Sequence, residues 1–356
     1  MYALVTVVVP AFNAEATLAE TLDSISRQTY PSIETIVVDD GSKDGTRTIA
    51  EDFAARHANV RVISTQNGGV AAARNVGIGA ASGLYIAPID ADDLWHPEKT
   101  ARQCAILDAH PDVTLVYSNR RHIDSRGQVL NSMPPATLEG IAYMRHAAFN
   151  VVGNGSAIMF RRRDAVLLGG YDERLRAWGG QGCEDYLLQV RLARRGKMQV
   201  APGFLVGYRQ LDDAMSRDSL QMLRSRVLAL RVLAEEEKQL PSGIRSIQSV
   251  FEFRLGYALI RAKRWREAAA MLRTALRGVS PAVATELVDR ITHRSRRNMG
   301  TALQRAGEDR EVVRRHFYDY AVDEDANNDY PQMVLRLMRR YLPYDLELEA
   351  ILKAGT

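Results

Sequence analysis

The sequence predicts an α/β fold with a mainly parallel central sheet, followed from about residue 216 by an all-helical C-terminal region. Three observations carry that expectation. Short β-branched runs alternate with helix-like segments up to about residue 120. Those runs are nearly continuously apolar, as strands covered on both faces should be. From about residue 217 the pattern turns helical, with no convincing strand afterwards.

The elements follow in order. Residues 5–9 are strand formers that Pro10 should end, and Asn13 is a candidate cap for a helix presenting Leu18, Leu22 and Ile25 on one face. Residues 33–38 form a second strand running into Asp39-Asp40-Gly41-Ser42, with a helix expected over Thr46–Arg56. A third strand covers 60–63, the loop Gln66-Asn67-Gly68-Gly69 follows, and an alanine-rich helix spans 70–81. A fourth strand, 84–89, ends in Asp90-Ala91-Asp92-Asp93, where Asp93 reads as a cap for the next helix and Pro97 as its first turn. A fifth strand covers 113–117, and shorter, less regular elements fill 120–210. Later, 255–258 and 265–276 read as a helical hairpin, without the repeat copies that a helical array needs.

Composition removes several classes. With 46% apolar and 25% charged residues the 356-residue chain is neither disordered nor collagen-like. Two cysteines, Cys104 and Cys183, supply no disulfide framework and no zinc spacing, and their scarcity fits a reducing cytoplasm. No apolar run approaches 18 residues, which excludes a multi-pass membrane enzyme. The formal charge of +4 conceals an uneven layout, with 7 Lys+Arg against 13 Asp+Glu in residues 1–100 and 21 against 11 in residues 217–315. The acidic front argues against nucleic acid as a partner. The basic tail makes an anionic membrane surface a candidate partner, and its helices a candidate homo-oligomer interface; the competing reading is arginines that merely solvate helix faces.

In a parallel sheet, ligands bind at the carboxyl ends of the strands. There Asp90 and Asp92, two apart, can aim two hard oxygen donors at one point, and phosphate oxygens with water would complete a Mg²⁺ or Mn²⁺ site. The competing reading is an acidic turn that caps a helix. Asp39-Asp40 repels phosphate but can accept hydrogen bonds from a base or ribose, or can simply be a second turn. Arg74 is either a cation in the same cleft or an exposed helix arginine. Trp95 and Trp178 can stack on a sugar or be buried.

Together, Val9-Pro10-Ala11-Phe12-Asn13-Ala14-Glu15, residues 38–46, Ala72-Ala73-Arg74-Asn75-Val76-Gly77-Ile78 and Asp90-Ala91-Asp92-Asp93 resemble the family 2 glycosyltransferases, which have the GT-A fold, from about residue 4 to 210. The resemblance implies a catalytic domain over 1–215, with a nucleotide-binding half (1–120) and an acceptor-binding half (121–215), and a helical region over 216–356. It implies that Pro10, Phe12, Asp40, Asn67, Arg74, Asp90, Ala91 and Asp92 bind a nucleotide-sugar, most often UDP-linked, and that Asp92 and Asp90 hold Mn²⁺ or Mg²⁺. Phe12 stands where the family usually has Tyr. No His lies between 146 and 293, so the Tyr208-Arg209-Gln210 segment lacks the histidine that relatives carry just beyond it.

The glycine-rich run Trp178-Gly179-Gly180-Gln181-Gly182-Cys183 leads into Glu184-Asp185 at a helix start, where the dipole favours anions whether or not they react. It resembles the family's Glu-Asp motif, which makes Asp185 the general base and places Glu184 and Trp178 on the acceptor. The acceptor implied is a glycan or a lipid-linked glycan. The expected location is the cytoplasm, with the inner face of the membrane as an option that the basic tail opens. Gly153-Asn154-Gly155-Ser156 reads as a donor-pocket loop or a plain turn. The absence of a Gln-x-x-Arg-Trp motif favours transfer of one or a few sugars. Two other classes compete. A sugar nucleotidyltransferase would need a glycine-rich phosphate loop after the first strand, where Pro10-Ala11-Phe12-Asn13 stands. A non-catalytic binding protein acting through the tail would have no need of an intact Asp92 and Asp185.

Overall fold

The computed structural model describes residues 2–211, 218–277, 315–320 and 338–354; the rest of the expected helical region lies outside the described residues. A nine-stranded mixed sheet organises the N-terminal part. Strands β1 (Val5–Ala11), β2 (Ile33–Asp39), β3 (Val60–Ser64) and β4 (Tyr85–Pro88) are parallel, in the order β3-β2-β1-β4. Every residue of β1 is buried, as its unbroken apolar run demands, whereas β3 at the edge is half-covered. Helices α1 (Leu18–Ser26), α2 (Thr46–Arg56) and α3 (Val70–Ala80) are the crossovers between these strands. Four parallel strands therefore deliver their carboxyl ends to one edge of the sheet.

The sheet continues through β8 (Ile158–Arg161), antiparallel to both β4 and β6 (Val113–Ile123). Strand β9 (Lys197–Arg209) runs parallel to β6 along its length, the two-residue β5 (Leu94–Trp95) pairs with β9, and β7 (Val129–Ser132) pairs with β6. Helices α4 (Lys99–Ala109), α5 (Tyr143–Phe149), α6 (Arg162–Leu167), α7 (Arg174–Ala177) and α8 (Glu184–Arg195) complete this part. The long α9 (Ser219–Glu236), α10 (Pro241–Arg261), α11 (Trp265–Arg277) and α12 (Leu342–Ala354) follow.

Two cores result. One fills the sheet. The other joins Tyr143, Met144, Tyr186, Leu187 and Val190 of α5 and α8 to Leu230 and Leu233 of α9, Ile244 and Ile247 of α10, and Leu348 of α12. The helical region is thus packed directly on the helix that begins with Glu184-Asp185. Buried Asp345 of α12 fixes α5, accepting from the Met144 amide at 2.7 Å and from Arg145 at 2.6 Å. Burial raises its pKa to about 6, although Arg145 and the amides of 144 and 145 pull it down.

Four expectations need correction. Strand β1 runs through Pro10, whose fixed φ suits an extended chain and removes only one donor. Asn13 caps no helix: it adopts φ 50° and accepts from the Lys43 amide, and α1 begins at Leu18 with Thr17 ahead of it. Asp93 is not a cap but is wholly buried, as described below. The irregular stretch expected over 120–210 holds the 13-residue β9 and the end of the 11-residue β6, because the two continue past their apolar runs by pairing with each other.

Candidate active site

The Asp90–Asp93 turn leaves β4 at the carboxyl edge and is tied to three other segments. Thr17 Oγ1 donates to the Ala91 carbonyl at 2.9 Å, and Thr21 Oγ1 reaches the Ala91 and Asp93 carbonyls at 3.0 and 2.9 Å. Ser156 Oγ accepts from the Asp90 amide at 3.0 Å and donates to Asp93 Oδ2 at 2.5 Å. The Arg209 amide donates to Asp93 Oδ1 at 2.9 Å, and its side chain donates to the Asp92 carbonyl at 2.6 Å. The rest of that buried guanidinium binds the Asp124 and Ser125 carbonyls and forms an ion pair with Glu20 at 2.6 Å. Burial, with the Asp92 and Asp90 charges beside it, holds the Asp93 carboxyl well above the usual carboxylate range, against the pull of Ser156 and the Arg209 amide. Asp93 therefore shapes the turn, leaving Asp90 and Asp92, both only partly covered, at its surface.

Across the edge, Arg74 on α3 is buried between carboxylates. Its guanidinium donates to Asp90 Oδ1 at 2.5 Å and to Glu184 Oε1 at 2.9 Å, with the Tyr171 ring 5.1 Å away. Burial works against the charge, but the Asp90 carboxylate, Tyr171 and the Glu184 and Asp185 carboxylates keep Arg74 well above its usual pKa. The nucleotide half and the glycine-rich segment are therefore joined at this arginine. Asp185 begins α8 beside Glu184, and its Oδ1 accepts from the Tyr186 amide at 2.6 Å. Desolvation first, then the Glu184 charge, push Asp185 up to about 7; Arg74 and the Tyr186 amide oppose them, and Asp90 adds to the rise. A carboxylate so poised can take a proton near neutral pH. Gly155 gives it room: a Cβ there would lie 3.1 Å from Arg74 Nη2 and 3.7 Å from Asp185 Cβ.

The loop 66–69 faces the end of β2. Asp40 is buried, and its two oxygens accept from the Gly68 and Gly69 amides, each at 2.8 Å. Gly69, at φ 91°, permits that approach immediately before α3. Asn67 donates to the Asp40 carbonyl at 3.1 Å. Asp39 accepts from the Ser42 amide. Pro10 is buried in β1 and Phe12 is exposed at 49% just beyond it, a ring face open to a flat ligand. The loop 179–182 is held by α9: the Gln181 amide donates to Ser225 Oγ at 2.8 Å, and Gln221 donates to the Gly179 carbonyl at 2.5 Å.

Two readings of tryptophan separate cleanly. Trp95 is wholly buried, donating to the Ser156 carbonyl at 2.9 Å with Lys99 Nζ 3.8 Å from its ring, so it stacks on no sugar. Trp178 is exposed at 49%. Sequence reasoning missed Arg176, which reaches from α7 to donate to Asn67 Oδ1 at 2.8 Å, and it missed the turn-holding roles of Glu20, Ser156 and Arg209. No local pattern marks Glu20 or Arg176; Ser156 and Arg209 lay in segments noted for other reasons.

The donor set also bears on a metal. Among the described residues no group of three or more His, Cys, Asp or Glu side chains could hold one. Asp90 is already paired with Arg74. The Asp92 carboxylate is a hard oxygen donor of the kind that Mg²⁺ or Mn²⁺ takes alongside phosphate oxygens and water.

Strand order, the acidic turn after β4 and the carboxylate pair heading α8 define a GT-A fold. Residues 6–167 match the family model "Glycosyl transferase family 2", and this N-terminal part belongs to that family. The chain is 50% identical over 93 residues to an uncharacterized glycosyltransferase, EpsJ, of Bacillus subtilis, a match covering 26% of this chain and 27% of that protein. It is 32% identical over 131 residues to the chondroitin synthase of Escherichia coli, covering 36% of this chain and 19% of that one. The chain thus spans about a quarter or less of these relatives' length. Among solved structures, S. aureus TarS 1-349 in complex with UDP-GlcNAc superposes with a TM-score of 0.62 at 18% identity, covering 80% of this chain and 83% of that one. The mannosyltransferase PcManGT from Pyrobaculum calidifontis, in complex with GDP-Man and Mn2+, superposes with a TM-score of 0.57 at 21% identity, covering 86% and 85%. Both likenesses are of fold.

Proposed function

We propose that the protein is a metal-dependent, inverting glycosyltransferase that moves a sugar from a nucleoside-diphosphate sugar, UDP-linked by preference, to a hydroxyl of a glycan or lipid-linked acceptor. The observation that carries this reading is Asp185: a carboxylate raised to about 7, beside the Arg74 bridge that ties Glu184 to the strand-end turn. Residues 1–215 form the catalytic unit, with the helical region bracing its base-bearing loop.

In the reaction proposed, Asp185 accepts the proton of the acceptor hydroxyl as that oxygen bonds to the anomeric carbon. The bond from that carbon to the diphosphate breaks on the opposite side, so the configuration inverts. Asp92, with Asp90, would hold a divalent ion that neutralises charge on the departing diphosphate. Pro10, Phe12, Asn67 and the Ala91 backbone border the nucleoside end. Asp40 supports that end indirectly, since its oxygens order the 68–69 amides. Arg74 keeps Glu184 and Asp90 in place, and Glu184 and Trp178 flank the acceptor.

The test is a panel of nucleotide-sugars with Mn²⁺ or Mg²⁺, read by thermal stabilisation and slow donor hydrolysis. One donor should stabilise the protein in a metal-dependent way. Asp185→Asn should keep that stabilisation and lose turnover by roughly 10²–10⁴-fold, whereas Asp92→Ala should weaken metal-dependent donor binding. No stabilisation by any nucleotide-sugar, or equal loss of binding in both variants, overturns the proposal.

A further inference from the structure

Helix α11 is a helix whose two sides disagree. The side facing the bundle buries only Ala268 and Ala275 completely, with Met271 packed beside them against Leu255 and Leu259 of α10. The flank beside it carries Trp265, exposed at 63%, and Leu276, exposed at 59%, although burial would favour both. At about 100° per residue, Trp265, Ala269 and Leu276 lie within a strip about 40° wide. Arg266, Arg273 and Arg277, all exposed, make a second strip of similar width immediately beside it.

Charge sharpens the pattern. Residues 261–277 hold Arg261, Lys263, Arg264, Arg266, Arg273 and Arg277 against one acidic residue, Glu267. Glu267 lies on the opposite flank and is engaged by Arg224 at 2.7 Å and by Arg264 at 2.5 Å. The turn into α11 is itself basic and exposed from Arg261 to Arg266, with Lys263 at φ 58° closing it. An apolar strip edged by arginines, with an indole at one end, suits the boundary between headgroups and acyl chains. A nucleic acid would match the cations but give Trp265 and Leu276 nothing apolar to enter.

We infer that the α10–α11 hairpin docks on an anionic lipid surface, with Trp265 and Leu276 entering the interfacial layer and Arg266, Arg273 and Arg277 binding lipid phosphates. The docking stands apart from the transfer chemistry proposed above: it uses no strand-end residue, and its failure would leave that chemistry untouched.

The full chain is mixed with vesicles of equal parts phosphatidylglycerol and phosphatidylcholine, or of phosphatidylcholine alone, and sedimented at low and high salt. Binding should need phosphatidylglycerol and weaken with salt. Replacing Arg266, Arg273 and Arg277 by Ala should weaken it about fivefold per arginine. Tryptophan emission should shift to the blue on binding, and Trp265→Phe should remove that shift while sedimentation persists. Helical circular dichroism and an unchanged melting temperature check that the variants fold, and the salt and emission readings on the unaltered chain decide the matter even where one does not. Equal pelleting with both vesicles, no pelleting with either, an unshifted Trp265 emission, or tighter binding to duplex DNA than to anionic vesicles each overturns the inference. So does concentration-dependent self-association abolished by Trp265→Ala, which would mean that a second copy covers the strip.

Discussion

The Arg74 guanidinium donates to Glu184 at 2.9 Å across 110 positions of sequence, with 3% of the arginine side chain and 9% of the glutamate exposed. A buried ion pair of this kind adds little stability compared with apolar packing, but losing one partner strands the other charge. Arg74→Ala strands Glu184 and also releases Asp90. It should lower the unfolding free energy by about 3–5 kcal/mol in urea titrations. Arg74→Lys keeps the charge but cannot bridge two carboxylates in the same way, so its loss should be intermediate.

The pH dependence follows from Asp185, raised to about 7 first by burial and then by Glu184. In the proposed mechanism the unprotonated carboxylate is the active form, so kcat/KM should fall on the acid side with an apparent pKa near that value. Stability moves the other way. Between the unfolded carboxyl pKa of about 4 and the folded value, the native chain binds the extra proton, so this group's stabilising contribution is full below that window and is lost as pH rises through it. Melting temperatures of the wild type and Asp185→Asn across this range check the sign: the Asn variant should lack that decline and gain relative stability above neutral pH. Arg74→Lys keeps the charge but holds it less closely among the carboxylates, so the acid limb should shift upward.

The fold was most legible where side-chain type and burial coincide. Strands β1 and β4 are apolar because they are covered, and α2 occupies the expected Thr46–Arg56. Legibility failed where partners far away in sequence decide. Residues 118–123 read as polar, yet they extend β6 because β9 offers its backbone and because buried Arg121 lies 4.6 Å from the Phe204 ring. In the site, the types and positions of Asp92, Asp185 and Arg74 could be read. The commitments of Asp40 to two amides and of Asp93 to Ser156 and Arg209 could not, because the bonding partners are 28 to 116 residues away.

Ser156 offers a way to loosen the acidic turn without touching a carboxylate. Its hydroxyl is wholly buried and serves Asp90 and Asp93 together. Ser156→Ala leaves the Asp90 amide and one Asp93 oxygen without that partner, which should cost about 1–3 kcal/mol. The Trp95 indole keeps its bond, since that goes to the Ser156 carbonyl. Metal-dependent donor stabilisation should weaken more than the melting temperature of the ligand-free protein, and side-by-side thermal shifts with and without donor check the difference.

Two glycine substitutions separate crowding in the core from crowding at the site. A Cβ on Gly77 would stand 2.3 Å from Val8 Cγ1, where α3 presses on the middle of buried β1. Neither backbone can move far in a packed interior, so Gly77→Ala should cost about 1–3 kcal/mol or more by overpacking. The residues at the strand ends are untouched, and the folded fraction should bind donor as before. A Cβ on Gly155 meets Arg74 Nη2 at the looser, tolerable 3.1 Å. Two carboxylates pin that guanidinium, so it can yield only by disturbing Asp90 or Glu184, with Asp185 next to both. Gly155→Ala should therefore leave the unfolding free energy within about 1 kcal/mol of the wild type yet lower kcat by tenfold or more, a loss of about 1.4 kcal/mol of transition-state stabilisation. Urea titration and steady-state kinetics on the same two variants give the comparison; a Gly155→Ala enzyme of full activity would mean that the Arg74 bridge does not set the position of the base.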